Sequence, residues 1–252
     1  MKVIKEGEGE PEFAVIGSMH GDEPAGEKAI QKVLEKGYEF RKPVKFIIAN
    51  EEALEKDERY LDTDLNRSFP GDPESNNREE RLAAQILEEI GDSKVLDIHT
   101  THSFDRPFAN TKSFEGPEIE MIKASGAEYA VKFEGGNGTL TDFVTGITLE
   151  AGMQHSNQAV ENAVNVIENF LAYFGIIDKE FEASNPELFV HEEEVEGDWE
   201  FLARNFEKVA KGEVYASRGD EELVAEKDFY PVLMSTNGYE DILGHKATRL
   251  DE

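Results

Sequence analysis

The sequence predicts an α/β fold: a mostly parallel, mixed sheet flanked by helices, followed by a small β-rich C-terminal domain. Short apolar runs that read as buried strands recur at Phe13 to Ile16, Val44 to Ala49, Lys94 to Ile98 and Gly146 to Leu149. Stretches of helical period lie between them. A strand, helix, strand repeat closes as parallel crossovers, with helices on the faces of the sheet. Around Ile176 the pattern changes to alternating runs separated by turn signals. The division expected is 1–176 for the α/β domain and 177–252 for the β-rich one.

Taken in order, Phe13-Ala14-Val15-Ile16 is the first buried strand, and it runs into Gly17-Ser18-Met19-His20-Gly21-Asp22-Glu23-Pro24. Pro24 to Lys36 carries Ala25, Ala29, Ile30, Val33 and Leu34 at helical spacing, with Pro24 suited to the first turn and Gly37 to the stop. Val44 to Ala49 is the next strand. Glu51 to Pro73 is long and without clear period, yet it holds Arg59-Tyr60-Leu61-Asp62-Thr63-Asp64-Leu65-Asn66-Arg67. A long irregular stretch inside a compact domain is usually functional or disordered. Its aromatic, leucine and arginine content argues against disorder.

A helix follows over Asn77 to Ile90, with Leu82, Ala83, Ile86, Leu87 and Ile90 on one side. The strand Lys94 to Ile98 ends in His99-Thr100-Thr101-His102. A short helix at Ile119 to Ser125, a strand at Glu128 to Phe133 and a glycine turn at 135–138 lead to the strand Gly146 to Gly152, which carries Glu150 near its end. The helix Asn157 to Phe174 is closed by Gly175. Beyond Ile176, Leu188 to His191 and Gly212 to Ala216 read as strands, with a weakly patterned stretch at Asp198 to Phe206.

At 252 residues the chain is long enough to bury a sizeable core. Its 55 acidic and 26 basic residues give a formal charge of -29, dispersed along the chain. Repulsion of that size argues against nucleic acid or anionic membrane as a partner. It fits a salt-screened, halophilic cytoplasm or an ordinary acidic mesophilic enzyme. Cysteine is absent, which excludes disulfides, thiolate metal sites and a cysteine nucleophile. No leader-like or membrane-length apolar run occurs, so the expectation is a soluble cytoplasmic protein. Oligomeric state is left open, homo-oligomers included.

His20 and Glu23, three residues apart after a buried strand, can turn towards one cation. They are two thirds of a His2Glu set, whose fourth position a catalytic zinc site leaves for water. The third ligand must be another His, and His99 and His102 compete for it. His99 is favoured because it follows its strand directly, and Asp97 is placed to orient a ligand imidazole. Arg59 and Arg67 offer fixed guanidinium forks for a carboxylate or carbonyl, or ion pairs with Asp62 or Asp64. Glu150 suits a general base, raised in pKa by desolvation, or it is a solvated strand end.

Together His20-Gly21-Asp22-Glu23, Arg59 to Arg67, Leu96-Asp97-Ile98-His99 and Leu149-Glu150-Ala151-Gly152 resemble the succinylglutamate desuccinylase/aspartoacylase family, a branch of the zinc carboxypeptidase superfamily. The acidity suggests a member from a halophilic archaeon. The resemblance implies a zinc-carboxypeptidase-like α/β domain partly covered by a small β domain. It implies one zinc per chain on His20, Glu23 and His99, with Glu150 activating water. Arg59 would stabilise the oxyanion, and Asn66 and Arg67 would hold a substrate α-carboxylate. Tyr239 is similar to a tyrosine that reaches into the pocket from the C-terminal domain. The implied reaction is hydrolysis of a small N-acyl amino acid.

The chain departs from the family at one point. Members that cleave acyl groups bearing their own carboxylate use an arginine shortly before the catalytic glutamate. No Arg occurs between Arg106 and Arg204, and Lys132 is the only basic residue between Ala124 and Glu150. A small uncharged acyl group, such as acetyl, therefore stands beside the dicarboxylic ones. The alternatives are a zinc carboxypeptidase acting on peptides and a non-catalytic, metal-loaded carboxylate-binding protein; a retained base argues against the second.

Overall fold

The structure is a computed structural model, and it describes residues 1–236, 238 and 241–250. Strand β1 (Lys2–Glu6) pairs antiparallel with β3 at the sheet edge; its charged, half-exposed residues hid it from a search for apolar runs. β2 (Phe13–Gly17) is buried at every position. Helix α1 (Ala25–Glu35) crosses back to β3 (Val44–Ile48), parallel to β2. Next come α2 (Glu51–Lys56), a single 3-10 turn at Leu65–Arg67 and α3 (Arg78–Ile90), N-capped by the Asn77 side chain.

β4 (Lys94–Thr101) lies on the other side of β2. β5 (Phe108–Thr111), α4 (Gly116–Ser125), β6 (Tyr129–Lys132), β7 (Gly146–Met153) and α5 (Asn157–Tyr173) complete the first 176 residues. β5 escaped the sequence reading because four residues are too few to show a period. β8 (Glu187–Glu196), β9 (Glu200–Phe201), β10 (Val214–Arg218), β11 (Glu221–Val224), β12 (Tyr230–Val232) and β13 (Ile242–Arg249) follow.

The main sheet has ten strands in the order β1-β3-β2-β4-β7-β5-β6-β8-β13-β12. β8 pairs parallel with β6, so this sheet runs on past Ile176, while β11-β10-β9 form a separate three-stranded antiparallel sheet. Side chains alternate across the central strands. Phe13, Val15, Leu96, Ile98, Ile147 and Leu149 pack with α1, α4 and α5 on one face. Ala14, Ile16, Ile47 and Val95 pack with Leu82, Ala83, Ile86 and Ile90 of α3 on the other. Burial on both faces explains why these strands read as continuous apolar runs.

On the α3 face the sheet passes into an aromatic cluster under the C-terminal segment, where Phe108, Phe189, Phe206 and Tyr230 meet. Phe206 stacks on Tyr129 with ring centroids 4.5 Å apart. Among the described residues no helix is long and apolar enough to cross a membrane.

Candidate active site

The turn after β2 is built for close approach. Ser18 takes a left-handed φ of 56°, reversing the chain as it leaves the sheet. Gly21 then lies against the backbone of α2, where an added Cβ would stand 2.1 Å from the Ala53 carbonyl carbon, so only glycine fits. Its N–H donates to the carbonyl of Arg59 at 3.1 Å, tying the two loops together. His20 and Glu23 end up buried, 3% and 4% exposed.

β4 runs on to Thr101, past the end expected at Ile98, so His99 lies inside the strand, where pairing with β7 fixes it, and it is 5% exposed. One ligand-type atom from each of His20, Glu23 and His99 lies within 4.8 Å of the other two. His102 is exposed and outside this group. The hydrogen bonds assign an inward-facing atom to each ring. Nε2 of His20 faces Asp64 Oδ1 at 3.0 Å, and Nε2 of His99 faces Asp97 Oδ2 at 2.9 Å. Nδ1 of His20 then sits 2.8 Å from Glu23 Oε1, and Nδ1 of His99 3.4 Å from Glu23 Oε2. Two imidazoles, each backed by a carboxylate and turned with its other nitrogen towards a third carboxylate, form a group that could hold a metal ion, and the donor types fit a His2Glu zinc site with outer partners on both rings.

Electrostatics follow from this packing. Burial favours neutral imidazole, but Glu23 and Asp64 outweigh it for His20, and Asp97 and Glu23 for His99; both pKa values are raised, that of His99 well above the ordinary range. Burial would raise Glu23 too, yet the two rings hold it well below the usual carboxylate value. A cation bound here therefore displaces protons from the rings.

β4 and β7 run in register with His99 opposite Glu150, which sets the carboxylate one strand from the donor group. Burial pushes the Glu150 carboxyl up to about 8. Its Oε2 is buried and has no hydrogen-bond partner among the described residues. Of the two readings of this residue, a solvated strand end does not describe it.

Arg59 forms the anticipated ion pair with Asp64, 3.0 Å from Nη2 to Oδ2, and its Nη1 also lies 3.4 Å from Glu23 Oε1. Asp64 is the hub that the sequence reading missed. It holds His20, Arg59 and the backbone N–H of Asn66, capping the 3-10 turn at Leu65–Arg67. Asn66 is 8% exposed, and its Oδ1 accepts from the Leu140 N–H at 3.0 Å. Arg67 donates to the Asn66 carbonyl at 2.7 Å and has no ion pair among the described residues. Lys132 pairs with Glu134 at 3.1 Å, and Lys112 with Asp142 at 2.8 Å. Tyr239 lies outside the described residues.

Fold and site define a class: a mixed α/β protein whose parallel strands present a buried His/Glu/His donor set beside a desolvated carboxylate. The chain belongs to the succinylglutamate desuccinylase/aspartoacylase family, whose catalytic-domain profile matches residues 10–174. It is similar to the N-alpha-acetyl-L-2,4-diaminobutyric acid deacetylase of Halomonas elongata, 29% identical over 75% of this chain and 62% of the relative. It is 34% identical to the aspartoacylase of Xenopus tropicalis over 36% of this chain and 34% of that protein. The chain thus covers less than two thirds of the length of these curated relatives. The crystal structure of succinylglutamate desuccinylase/aspartoacylase from Rhodobacter sphaeroides shares the fold, with a TM-score of 0.76, 22% identity, and coverage of 98% of this chain and 88% of that one.

Proposed function

We propose that the protein is a zinc-dependent deacylase that hydrolyses the amide bond of small N-acyl amino acids. The observation that carries this is the convergence of His20, Glu23 and His99 to within 4.8 Å beside a carboxylate, Glu150, that desolvation has made a better base. A zinc ion held by those three residues supplies Lewis acidity, polarising a carbonyl and lowering the pKa of water. Glu150 takes the proton of the attacking water and returns it to the leaving nitrogen. Arg59 meets the negative charge that develops on the carbonyl oxygen, where a fixed donor has its largest effect. Asn66, through its amide N–H groups, and Arg67, through the guanidinium N–H groups not used on the Asn66 carbonyl, hold the α-carboxylate and orient the amide.

The acyl group is small and uncharged. Lys112, Lys132 and Arg106 are already paired with Asp142, Glu134 and Glu128, which leaves those cations committed and unready for a second carboxylate. The deacetylase relative supports the same choice. On this reading residues 1–176 carry the chemistry and 177–252, as a covering domain, narrow the entrance. A cytoplasmic, salt-adapted setting belongs to the same proposal, and it rests on the dispersed acidity and the lack of cysteine.

The test measures metal content and amine release together, on protein purified in high salt, over N-acetyl, N-succinyl and N-acyl-aspartate substrates beside a peptide set. About one zinc per chain, lost in His20→Ala, with release from the N-acetyl class, is the expected result. Release of C-terminal residues from peptides would favour a carboxypeptidase. Zinc without turnover on any compound would favour a binding protein.

A further inference from the structure

We infer that Asn110 is a catalytic residue of this site, one that holds the base and receives the N–H of the scissile amide; the inference rests on the deacylase reading above. β5 runs antiparallel to β7 with Phe108 opposite Glu150 and Asn110 opposite Thr148. Side chains of paired and alternate residues share a face, so Asn110 projects from the same face as Glu150, one diagonal step along the sheet. Its Nδ2 donates to Glu150 Oε1 at 3.4 Å.

What remains unpaired tells the rest. Glu150 Oε2 and Asn110 Oδ1 are both buried and both lack a partner among the described residues. A buried acceptor without a donor is costly, and where native proteins keep one a ligand or water commonly completes it. Two such oxygens on neighbouring residues call for a ligand that brings two hydrogens. Water attacking an amide is that ligand pair: an O–H to be abstracted and an N–H on the departing nitrogen.

The division of labour is set by the carboxamide's two ends. The Nδ2 donor occupies Oε1, so proton transfer runs through Oε2. A water O–H bond breaks as its proton passes to Oε2 and the oxygen bonds to the acyl carbon. The proton held on Oε2 then passes to the nitrogen lone pair, which gives that nitrogen positive charge, and the C–N bond breaks with its electron pair going to nitrogen. Carboxylic acid and amine are the products, with no further reactant. Asn110 Oδ1 accepts the amide N–H throughout, and that bond strengthens as the nitrogen gains positive charge, so it favours the transition state over the ground state.

The distinguishing experiment compares an N-acetyl amino acid with its ester analogue, the same acetyl group on the matching α-hydroxy acid, which lacks the N–H. In Asn110→Ala, kcat/KM is expected to fall about 10- to 100-fold more on the amide than on the ester. Asn110→Asp keeps an acceptor oxygen but loses the donor to Glu150; both substrates should slow while their ratio stays near wild type. Because the readout is a ratio, a partly unfolded sample does not mimic it. A second readout needs no turnover. By calorimetry, Asn110→Ala should weaken binding of the free amino acid product and leave that of its α-hydroxy acid unchanged, with zinc content intact. Equal losses on amide and ester, or none, would overturn the assignment while the deacylase reading stood. Wild-type turnover of neither compound would overturn that reading, and the role of Asn110 with it.

Discussion

Glu23, buried, and Glu150, half-buried with its Oε2 shielded, are carboxylates within one site, and their surroundings push them in opposite directions. Burial raises both, but two imidazoles beside Glu23 reverse the effect, whereas at Glu150 burial prevails and takes the carboxyl from 4.5 to about 8. On the proposed reading this separation suits Glu23 to the role of ligand and Glu150 to that of base. Glu150→Gln should lower kcat by about 100- to 10,000-fold with zinc retained. Its effect on metal-free stability has a definite sign. Below 4.5 Glu150 is protonated in both states; as pH rises towards about 8 the unfolded chain releases the proton and the folded one keeps it, so stability falls over that window. Glutamine has no proton to lose. Calorimetric melting of metal-free protein should therefore find Glu150→Gln more stable than wild type by a few kcal/mol at about pH 9, and little different at about pH 4. A mutant less stable at both values would contradict the burial argument.

At the scale of elements, the loop between α2 and α3 is ordered by a residue of α3. Glu79 in its first turn is fully buried. Its carboxylate accepts the backbone N–H groups of Leu61 and Asp62 at 3.0 Å each and of Thr63 at 3.4 Å. Arg78 adds an ion pair at 3.2 Å. The loop carrying Arg59, Asp64, Asn66 and Arg67 is thereby fastened to a rigid helix, which is how an irregular segment holds a site. Burial raises the Glu79 pKa, but the three N–H donors prevail and it lies below 4.5. A depressed carboxylate stabilises the fold above its unfolded pKa, and that contribution is lost as pH falls through the folded value. Glu79→Gln should cost about 1–3 kcal/mol at neutral pH, a gap that closes on acidification below 4.5. Limited proteolysis should report new cleavage between residues 57 and 73. An unchanged melting temperature and digestion pattern would show the loop to be held by other means.

For the whole molecule the governing quantity is a formal charge of -29 on 252 residues. Many acidic groups are spoken for locally: Glu168, for instance, is 2% exposed and paired with Lys36 and Lys179. With 55 acids against 26 bases, most of the excess must face solvent without a partner. Repulsion among exposed charges destabilises the compact state and is screened when the Debye length falls to about 3 Å near 1 M salt. Activity and folding are expected to require molar salt, visible as a melting temperature that climbs steeply with added KCl. Full stability and activity in dilute buffer would remove the salt-adaptation reading.

The sequence by itself determined the α/β class, the buried strands and the helices between them, because strands covered on both faces must be apolar throughout and amphipathic helices must show their period. It also put forward candidates for a donor set, His20 and Glu23 with either His99 or His102, in a chain with few histidines. Only the tertiary structure decided between His99 and His102, by burying one and exposing the other. It alone joined Asp64 to His20, set Glu79 under the loop, and brought Asn110 against Glu150. Those partners lie 44, 18 and 40 residues apart in the chain. Nothing local marks such pairings: a glutamate in a helix's first turn and an asparagine in a four-residue strand look like surface residues until sheet register and helix packing place them.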